Sequence, residues 1–287
     1  MMAVSHLHLS VRRFCLALLS LGAGLPMLPA QEAAPPVPPA PAATDWTVSS
    51  RENLPARTTD GLESVQVKLT PSRSERLPVT AHVVIFRPNR FNLRVIDDPS
   101  GKYTNLRQAM ESIDAVAGIN GGYFHQDFTP LGLVVSAGKV LHPQEKASLL
   151  SGLLVSSARN LLLVRTEEFR LGKTTLEALQ AGPFLVDGGT AVPGLNATKT
   201  ARRTAIATLA DGRWALVSLS PLTLAEAGAI LAGDALWPGI EAERVLNLDG
   251  GSSTGFYLAA PAASGDKPLY LAEFGRVRNY VALVPRE

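Results

Sequence analysis

Two short loops carry the residue types that are best suited to chemistry. Residues 119–124 (Ile-Asn-Gly-Gly-Tyr-Phe) and 246–254 (Leu-Asn-Leu-Asp-Gly-Gly-Ser-Ser-Thr) each place a polar side chain before a glycine pair, Asn120 in the first and Asp249 in the second. Each loop follows a short apolar run, which predicts the end of a buried strand. Paired glycines accept positive φ angles and let a ligand approach the backbone, where N–H groups can converge on an anion. Although one such loop is often only a turn, the two together predict a site for a ligand such as a sugar phosphate.

Two aspartates are the candidate catalytic groups. Asp249 lies in the second loop, and Asp187 precedes Gly188 and Gly189. Glycosyl transfer requires carboxyl groups near the anomeric carbon. Asp before Gly is also common in turns, so residue type leaves Asp187 as either structural or catalytic. Asp249 is the stronger candidate because it follows a predicted strand.

Arg203, at the start of a predicted strand, is the candidate phosphate ligand because its planar guanidinium can donate two parallel hydrogen bonds. The alternative is a surface ion pair, and Arg202 is predicted to be a solvated neighbour.

His125 could act as an acid or an anion ligand, although a solvated loop histidine is more common. Ser252 is expected to bind ligand or stabilise its turn, since the Gly-x-Ser-x-Gly pattern of serine hydrolases is missing.

Metal and cofactor signals are weak. Asn120, Asp127 and Asp249 could supply oxygen ligands, so a divalent cation is left open and the metal ligands are unknown. The spacing of Gly118 and Gly121 does not match the dinucleotide-binding pattern, which argues against a nicotinamide enzyme.

The beginning of the chain has the pattern of a secretory signal. Arg12 and Arg13 precede an apolar run at 14–25 and a segment rich in proline and alanine, which predicts a signal peptide over residues 1–30. Residues 31–44 are almost entirely Ala and Pro and predict a linker, followed by one domain over 45–287. We therefore expect an exported protein, periplasmic or secreted, with no stable membrane span after signal removal.

The predicted mature chain carries no cysteine, because Cys15 lies in the signal. Disulfides, a thiolate nucleophile and a Cys-ligated zinc site are therefore not expected. Removing Arg12 and Arg13 from 27 basic residues leaves 25, which balance the 25 acidic residues. No basic stripe indicates nucleic acid as a partner.

Short apolar or alternating runs predict strands rather than helices. They occur at residues 65–69, 79–86, 91–96, 132–135, 153–155, 161–164, 204–209, 214–219 and 280–284. Asp211-Gly212 and Ser136-Ala137-Gly138 predict hairpin turns. Three helices are expected, after Thr104, Thr174 and Thr223, the last two with a glutamate at capping-box spacing. The expected fold class is α+β, a single domain with a largely antiparallel or mixed sheet and a few flanking helices.

Five motifs, taken in order over about residues 80–287, resemble the phosphodiester glycosidase family. They are the two loops above, residues 130–135 (Pro-Leu-Gly-Leu-Val-Val), 180–183 (Gln-Ala-Gly-Pro) and 203–206 (Arg-Thr-Ala-Ile). The resemblance implies a pocket formed by Asn120, Gly121, Gly122, Asp187, Arg203, Thr204, Asp249, Gly250, Gly251 and Ser252. Members often have a longer glycine-containing loop where residues 218–221 here lead directly to Thr223, which predicts an altered substrate preference.

The resemblance implies an exported glycosidase that hydrolyses sugar-1-phosphodiester linkages, in cell-envelope or exopolysaccharide metabolism, with a phosphorylated saccharide or glycan as substrate. Arg203 and the glycine-loop amides would hold the phosphate, and Asp249, with Asp187, would serve the glycosyl centre. Two alternatives remain, a non-catalytic saccharide or envelope-binding protein and a phosphodiesterase that cuts the other P–O bond. The sugar, the stereochemical outcome and the oligomeric state are left open.

Overall fold

Aliphatic and β-branched runs form strands that make up most of the regular structure. The computed structural model describes residues 41–286, with the exception of 59, 74, 75 and 263. These residues form two α-helices, α1 (Leu106–Glu111) and α2 (Leu224–Ala232), and two 3₁₀ turns, Ala43–Asp45 and Gly251–Ser253. The strands are β1 Trp46–Asn53, β2 Leu62–Pro71, β3 Val79–Phe86, β4 Phe91–Asp97, β5 Ala117–Asn120, β6 Val134–Ser136, β7 Lys139–His142, β8 Gly152–Ser156, β9 Leu161–Arg165, β10 Glu177–Ala181, β11 Phe184–Asp187, β12 Thr190–Ala191, β13 Ala201–Leu209, β14 Trp214–Leu222, β15 Ala242–Asn247, β16 Phe256–Leu258, β17 Leu269–Leu271 and β18 Asn279–Pro285.

The predicted signal peptide, residues 1–30, lies outside the described residues, as does the predicted linker up to residue 40. Backbone contacts divide the chain into two units, Met1–Pro38 and Pro39–Glu287, and the described residues all belong to the second. Among the described residues, no helix is long and apolar enough to cross a membrane.

The strands form three antiparallel sheets. The first has eight strands in the order β1-β2-β3-β14-β13-β15-β11-β12, the second is β7-β6-β10-β8-β9, and the third is β17-β16-β5-β18-β4. The predicted hairpin at Asp211-Gly212 connects β13 and β14, and Gly212 has a φ of 80°. The predicted turn at Ala137 and Gly138 connects β6 and β7.

The core lies on both faces of the eight-stranded sheet. On one face, Ala205 and Ala207 of β13 pack in a cluster with Ile230 of α2. On the other face, Ile206 packs in a cluster that includes Phe256 of the third sheet and Leu154 of the second. Since both faces are covered, β13 and its neighbours are continuous apolar runs rather than alternating ones.

The α+β prediction is wrong, because the described residues form a mostly β structure with three sheets and two short helices. The helix expected after Thr174 does not form, and strand β10 begins at Glu177. The Glu177 carboxylate accepts hydrogen bonds from the Arg94 side chain at 2.7 Å and the Val95 N–H at 3.1 Å, joining β10 to β4. Sheet pairing and this buried contact outweigh the local capping signal.

The other two helix predictions are close to the observed structure. The Thr223 hydroxyl accepts a hydrogen bond from the Glu226 N–H, and the Glu226 carboxylate accepts one from the Thr223 N–H, which completes the predicted capping box of α2. The cap of α1 is Asn105 rather than Thr104, because the Asn105 side chain accepts the Gln108 N–H.

Candidate active site

The two glycine loops meet at one buried amide. The Asn120 side chain, 1% exposed at the end of β5, donates to the Asp249 carbonyl at 2.8 Å. Its oxygen accepts the Thr204 hydroxyl at 2.7 Å and the Gly255 N–H at 3.1 Å. The Asp249 N–H in turn donates to the Gly121 carbonyl at 3.1 Å. Asn120 and Thr204, two of the residues predicted to form the site, therefore join the ends of β5, β13 and β15.

Close packing requires the first glycine pair. A Cβ on Gly121 would lie 2.0 Å from the Asn279 Oδ1 atom, and one on Gly122 would lie 3.0 Å from the Gln180 carbonyl oxygen. The Gly121 N–H donates to the Asn279 carbonyl at 2.8 Å, and the Gly122 N–H donates to the Asn279 side chain at 2.7 Å. These amides are occupied within the protein, which corrects the expectation that they hold a phosphate.

The second pair shapes the turn that presents Asp249. The Gly250 N–H donates to the Asp249 carboxylate at 2.8 Å, and a Cβ on Gly250 would lie 2.8 Å from the Arg202 carbonyl oxygen. Gly251 has a φ of 63° and begins the 3₁₀ turn Gly251–Ser253. Glycine is thus needed at both positions, at one for close approach and at the other for backbone conformation.

Asp249 is a half-buried carboxylate without a cationic partner. It makes no ion pair within the part of the chain that the structure describes. Burial raises the pKa of Asp249, and hydrogen bonds from the Ser253 side chain and the Gly250 N–H offset only part of that effect. A carboxylate held in this way is suited to proton transfer or to facing a developing positive charge.

Arg203 is a buried cation without a carboxylate partner among the described residues. It is 8% exposed and donates to the Leu222 carbonyl at 3.0 Å and the Lys199 carbonyl at 2.6 Å. Burial lowers the pKa of Arg203, and Tyr123 partly opposes this effect. The alternative of a surface ion pair is therefore wrong. Since Leu222 is the last residue of β14, the short connection from β14 to α2 holds the guanidinium in place.

Tyr123 links the two charged groups electrostatically and was not among the candidates from sequence. Its hydroxyl donates to the Gly182 carbonyl at 2.7 Å and accepts the Asn247 side-chain N–H at 2.7 Å. Burial raises the pKa of Tyr123, the charge of Asp249 raises it further, and Arg203 and the Asn247 hydrogen bond lower it. Tyr123 is therefore a neutral hydrogen-bonding group, and the charges of Asp249 and Arg203 act on its pKa in opposite directions. Its place in the first loop was the available signal.

Asp187 lies apart from Asp249. Strand β11 runs antiparallel to β15 and pairs Asp187 with Arg244, so Asp187 is at the opposite end of β15, about 16 Å along the strand from Asp249. Its carboxylate forms ion pairs with Arg165 and with Arg244. Gly182, just before β11, is the residue of this segment that reaches the site.

The two remaining candidate side chains, His125 and Ser252, are exposed. His125 is exposed, and its backbone N–H donates to the Thr129 carbonyl at 2.8 Å. Ser252 is exposed, whereas its buried neighbour Ser253 bonds the Asp249 carboxylate. Arg202 is not a solvated neighbour, because it donates to backbone carbonyls of the second loop and lies 3.9 Å from the ring centre of Phe274.

The three oxygen donors considered for a cation are not brought together. The Asn120 oxygen is occupied by Thr204 and Gly255, while Asp127 accepts hydrogen bonds from Thr129 in an exposed turn. Among the described residues, no group of three or more His, Cys, Asp or Glu side chains could hold a metal ion.

A family comparison accounts for this arrangement. The model of the phosphodiester glycosidase family matches residues 114–284, a range that contains every candidate site residue. This chain belongs to the phosphodiester glycosidase family. The family prediction is confirmed, and so is the prediction of a hydrolase at the level of the family. No curated protein matches the sequence.

Two solved structures share the fold of this phosphodiester glycosidase family member. The zebrafish N-acetylglucosamine-1-phosphodiester α-N-acetylglucosaminidase catalytic domain, auto-inhibited by its pro-peptide, has 15% identity and a TM-score of 0.60, with 83% of this chain and 88% of that chain covered. A hypothetical protein from Synechocystis has 18% identity and a TM-score of 0.55, with 79% of this chain and 63% of that chain covered. The match thus spans less than two thirds of the Synechocystis chain.

The junction at Asn120 predicts a large stability loss on truncation. Asn120→Ala leaves the buried Thr204 hydroxyl and Gly255 N–H without their shared acceptor, and each such group costs about 1–3 kcal/mol. For the two groups together we expect the free energy of unfolding to fall by about 2–6 kcal/mol in urea titrations. Asn92→Ala, an exposed asparagine of β4, is the matched control and should change it by less than about 0.5 kcal/mol. Equal losses in the two variants would contradict the junction.

The buried carboxylate predicts a pH-dependent stability gain when its charge is removed. The pKa of Asp249 is raised above 3.8 in the folded protein, so ionisation costs stability as pH rises through the window above 3.8. Asp249→Asn should therefore melt at a higher temperature than the wild type at pH 7, and the difference should vanish below pH 3.8, where both states are protonated.

Asp211→Asn is the control of opposite sign. Burial raises the pKa of Asp211, but hydrogen bonds from Arg213 outweigh that effect and leave the pKa below its ordinary value. This variant should lose stability at pH 7. Thermal melts across pH measure both variants, and an Asp249→Asn protein less stable than the wild type at pH 7 would refute the buried-charge account.

Proposed function

We propose that this protein hydrolyses a sugar-1-phosphodiester at the bond between the anomeric carbon and the phosphate oxygen. The observation that carries the proposal is a pair of charges without an ion-pair partner among the described residues, Arg203 and Asp249. Asn120 joins their segments, because it bonds the Asp249 carbonyl and the hydroxyl of Thr204, the neighbour of Arg203. A buried cation without a counter-ion favours an anionic ligand, because burying a charge alone is costly. Arg203 binds the phosphate, and Asp249 serves the anomeric carbon.

The chemistry suits a site with one carboxylate. The water oxygen forms a bond to the anomeric carbon, and the bond from that carbon to the phosphate oxygen breaks with its electron pair on the oxygen. The proton that water loses passes to the released phosphomonoester or to solvent, and the products are the free sugar and the phosphomonoester. A phosphate leaving group carries negative charge well and needs little protonation, so no strong general acid is required. Asp249 stabilises the positive charge that develops at the anomeric carbon. Tyr123 and Asn247 position the pocket through Gly182.

Turnover of Asp249→Asn tests the assignment. We expect hydrolysis of a panel of sugar-1-phosphodiesters to fall by about 10²–10⁴-fold, because the variant keeps the shape of the side chain but loses its charge and basicity. Asp187→Asn is the matched comparison, and the structure predicts turnover close to that of the wild type. Chromatography of the products measures both. Full turnover by Asp249→Asn, or equal losses in both variants, would sink the assignment.

The product and the phosphate ligand decide between reaction classes. Free sugar with phosphomonoester supports the glycosidase, whereas sugar-1-phosphate would indicate a phosphodiesterase that cuts the other P–O bond. Saturable binding without turnover would indicate a saccharide-binding protein.

Arg203→Met should weaken inhibition by inorganic phosphate about tenfold or more. Arg107→Met, which removes an exposed partner of Glu111, should not weaken it.

Export and a substrate in the cell envelope or in exopolysaccharide belong to the same proposal. The charged and apolar segments of residues 1–30 support passage to the periplasm or the exterior. In a bacterial host we expect the full chain in the exported fraction and a chain lacking residues 1–30 in the cytoplasm, as measured by fractionation and immunoblotting. Retention of the full chain in the cytoplasm would remove this part of the proposal.

A further inference from the structure

Phe274 is an exposed aromatic side chain beside the candidate active site. Its side chain is 79% exposed, the highest fraction among the large hydrophobic residues of the described chain. A single exposed hydrophobic residue needs no explanation by itself. The position and fixation of this ring are what point to a ligand.

The backbone is anchored at Phe274 and at the preceding residue. The Phe274 N–H donates to the Ser252 carbonyl at 2.7 Å, directly after the turn that presents Asp249. The preceding Glu273 carboxylate accepts the Leu106 N–H at 2.6 Å and the Tyr270 hydroxyl at 2.9 Å. An apolar ring is therefore held in solvent by polar contacts that fix the residues beneath it.

Arg202 contacts both the Phe274 ring and the 246–254 loop, so it fixes their relative positions. Its guanidinium lies 3.9 Å from the centre of the Phe274 ring, a distance typical of a cation–π contact. The same group donates to the Gly251 carbonyl at 3.0 Å and to the Ala272 carbonyl at 3.0 Å. Arg202 thus covers one face of the ring and leaves the ring exposed in a set position relative to Asp249.

We propose that Phe274 is a stacking platform for a pyranose ring of the substrate glycan, outside the reacting linkage. A pyranose presents an apolar C–H face with hydroxyl groups around its edge, which matches a flat aromatic face bordered by water and polar backbone. Aromatic side chains with a few polar groups line most small-molecule sites. The inference rests on the proposed function and adds that the substrate is an oligosaccharide or polysaccharide rather than a single sugar ester.

Direct binding in the Asp249→Asn background tests the platform without turnover. The probes are the tetrasaccharides of the malto, cello and chito series, titrated by calorimetry. Saturable binding of at least one probe is expected. Phe274→Ala should weaken that binding about three- to tenfold, and Phe274→Trp should restore it. Leu77→Ala, which removes a side chain that is 76% exposed, is the matched control and should bind like the parent.

Two results would overturn the platform. The first is no binding of any probe by the parent, and the second is equal affinity of Phe274→Ala and the parent. A third result, from sedimentation, would also overturn it: a parent dimer that Phe274→Ala converts to monomers would assign the ring to a contact between copies. Phe274-dependent glycan binding in a protein that does not hydrolyse sugar-1-phosphodiesters would refute the proposed reaction and leave the platform standing.

Discussion

The Asn120 carboxamide is the contact on which the site depends. It lies where strands of two sheets end, and its single side chain bonds the backbone of the Asp249 loop, the Thr204 hydroxyl and the Gly255 N–H. A buried amide can hold three segments only if each hydrogen bond is formed, because a buried group left without a partner costs more than a formed bond contributes. The glycines at positions 121 and 122 permit this approach, since any side chain there would collide with Asn279 or the Gln180 backbone.

Two charged side chains near that junction are buried or half-buried, and burying a charge costs stability. Arg203 is buried without a carboxylate partner, and Asp249 is half-buried without a cationic partner among the described residues. Elsewhere, carboxylates as buried as Glu177 are satisfied by an arginine and backbone N–H groups. Among the described residues, neither Arg203 nor Asp249 has an ion-pair partner of this kind.

Local signals predicted strands β2, β3, β4, β13, β14 and β18 and the capped helix α2, because period and capping chemistry depend on residues that are close in sequence. They failed at Glu177, where a capping-box spacing lies at the start of a strand. That carboxylate bonds β4, more than 80 residues away, and no local pattern contains such a partner. The same limit produced the wrong fold class, since the stacking of three sheets is a long-range property.

Residue types and spacing by themselves determined the family, the two glycine loops and the candidates Asn120, Arg203 and Asp249. Only the tertiary structure showed that the two similar Asp-Gly-Gly segments lie apart. Because β11 and β15 run antiparallel, Asp187 and Asp249 lie at opposite ends of their pair, and Asp187 is matched with arginines. The contacts of Tyr123 with Gly182 and Asn247 also appeared only in the tertiary structure. These contacts are made across strands, and the order of residues in a sequence does not record them.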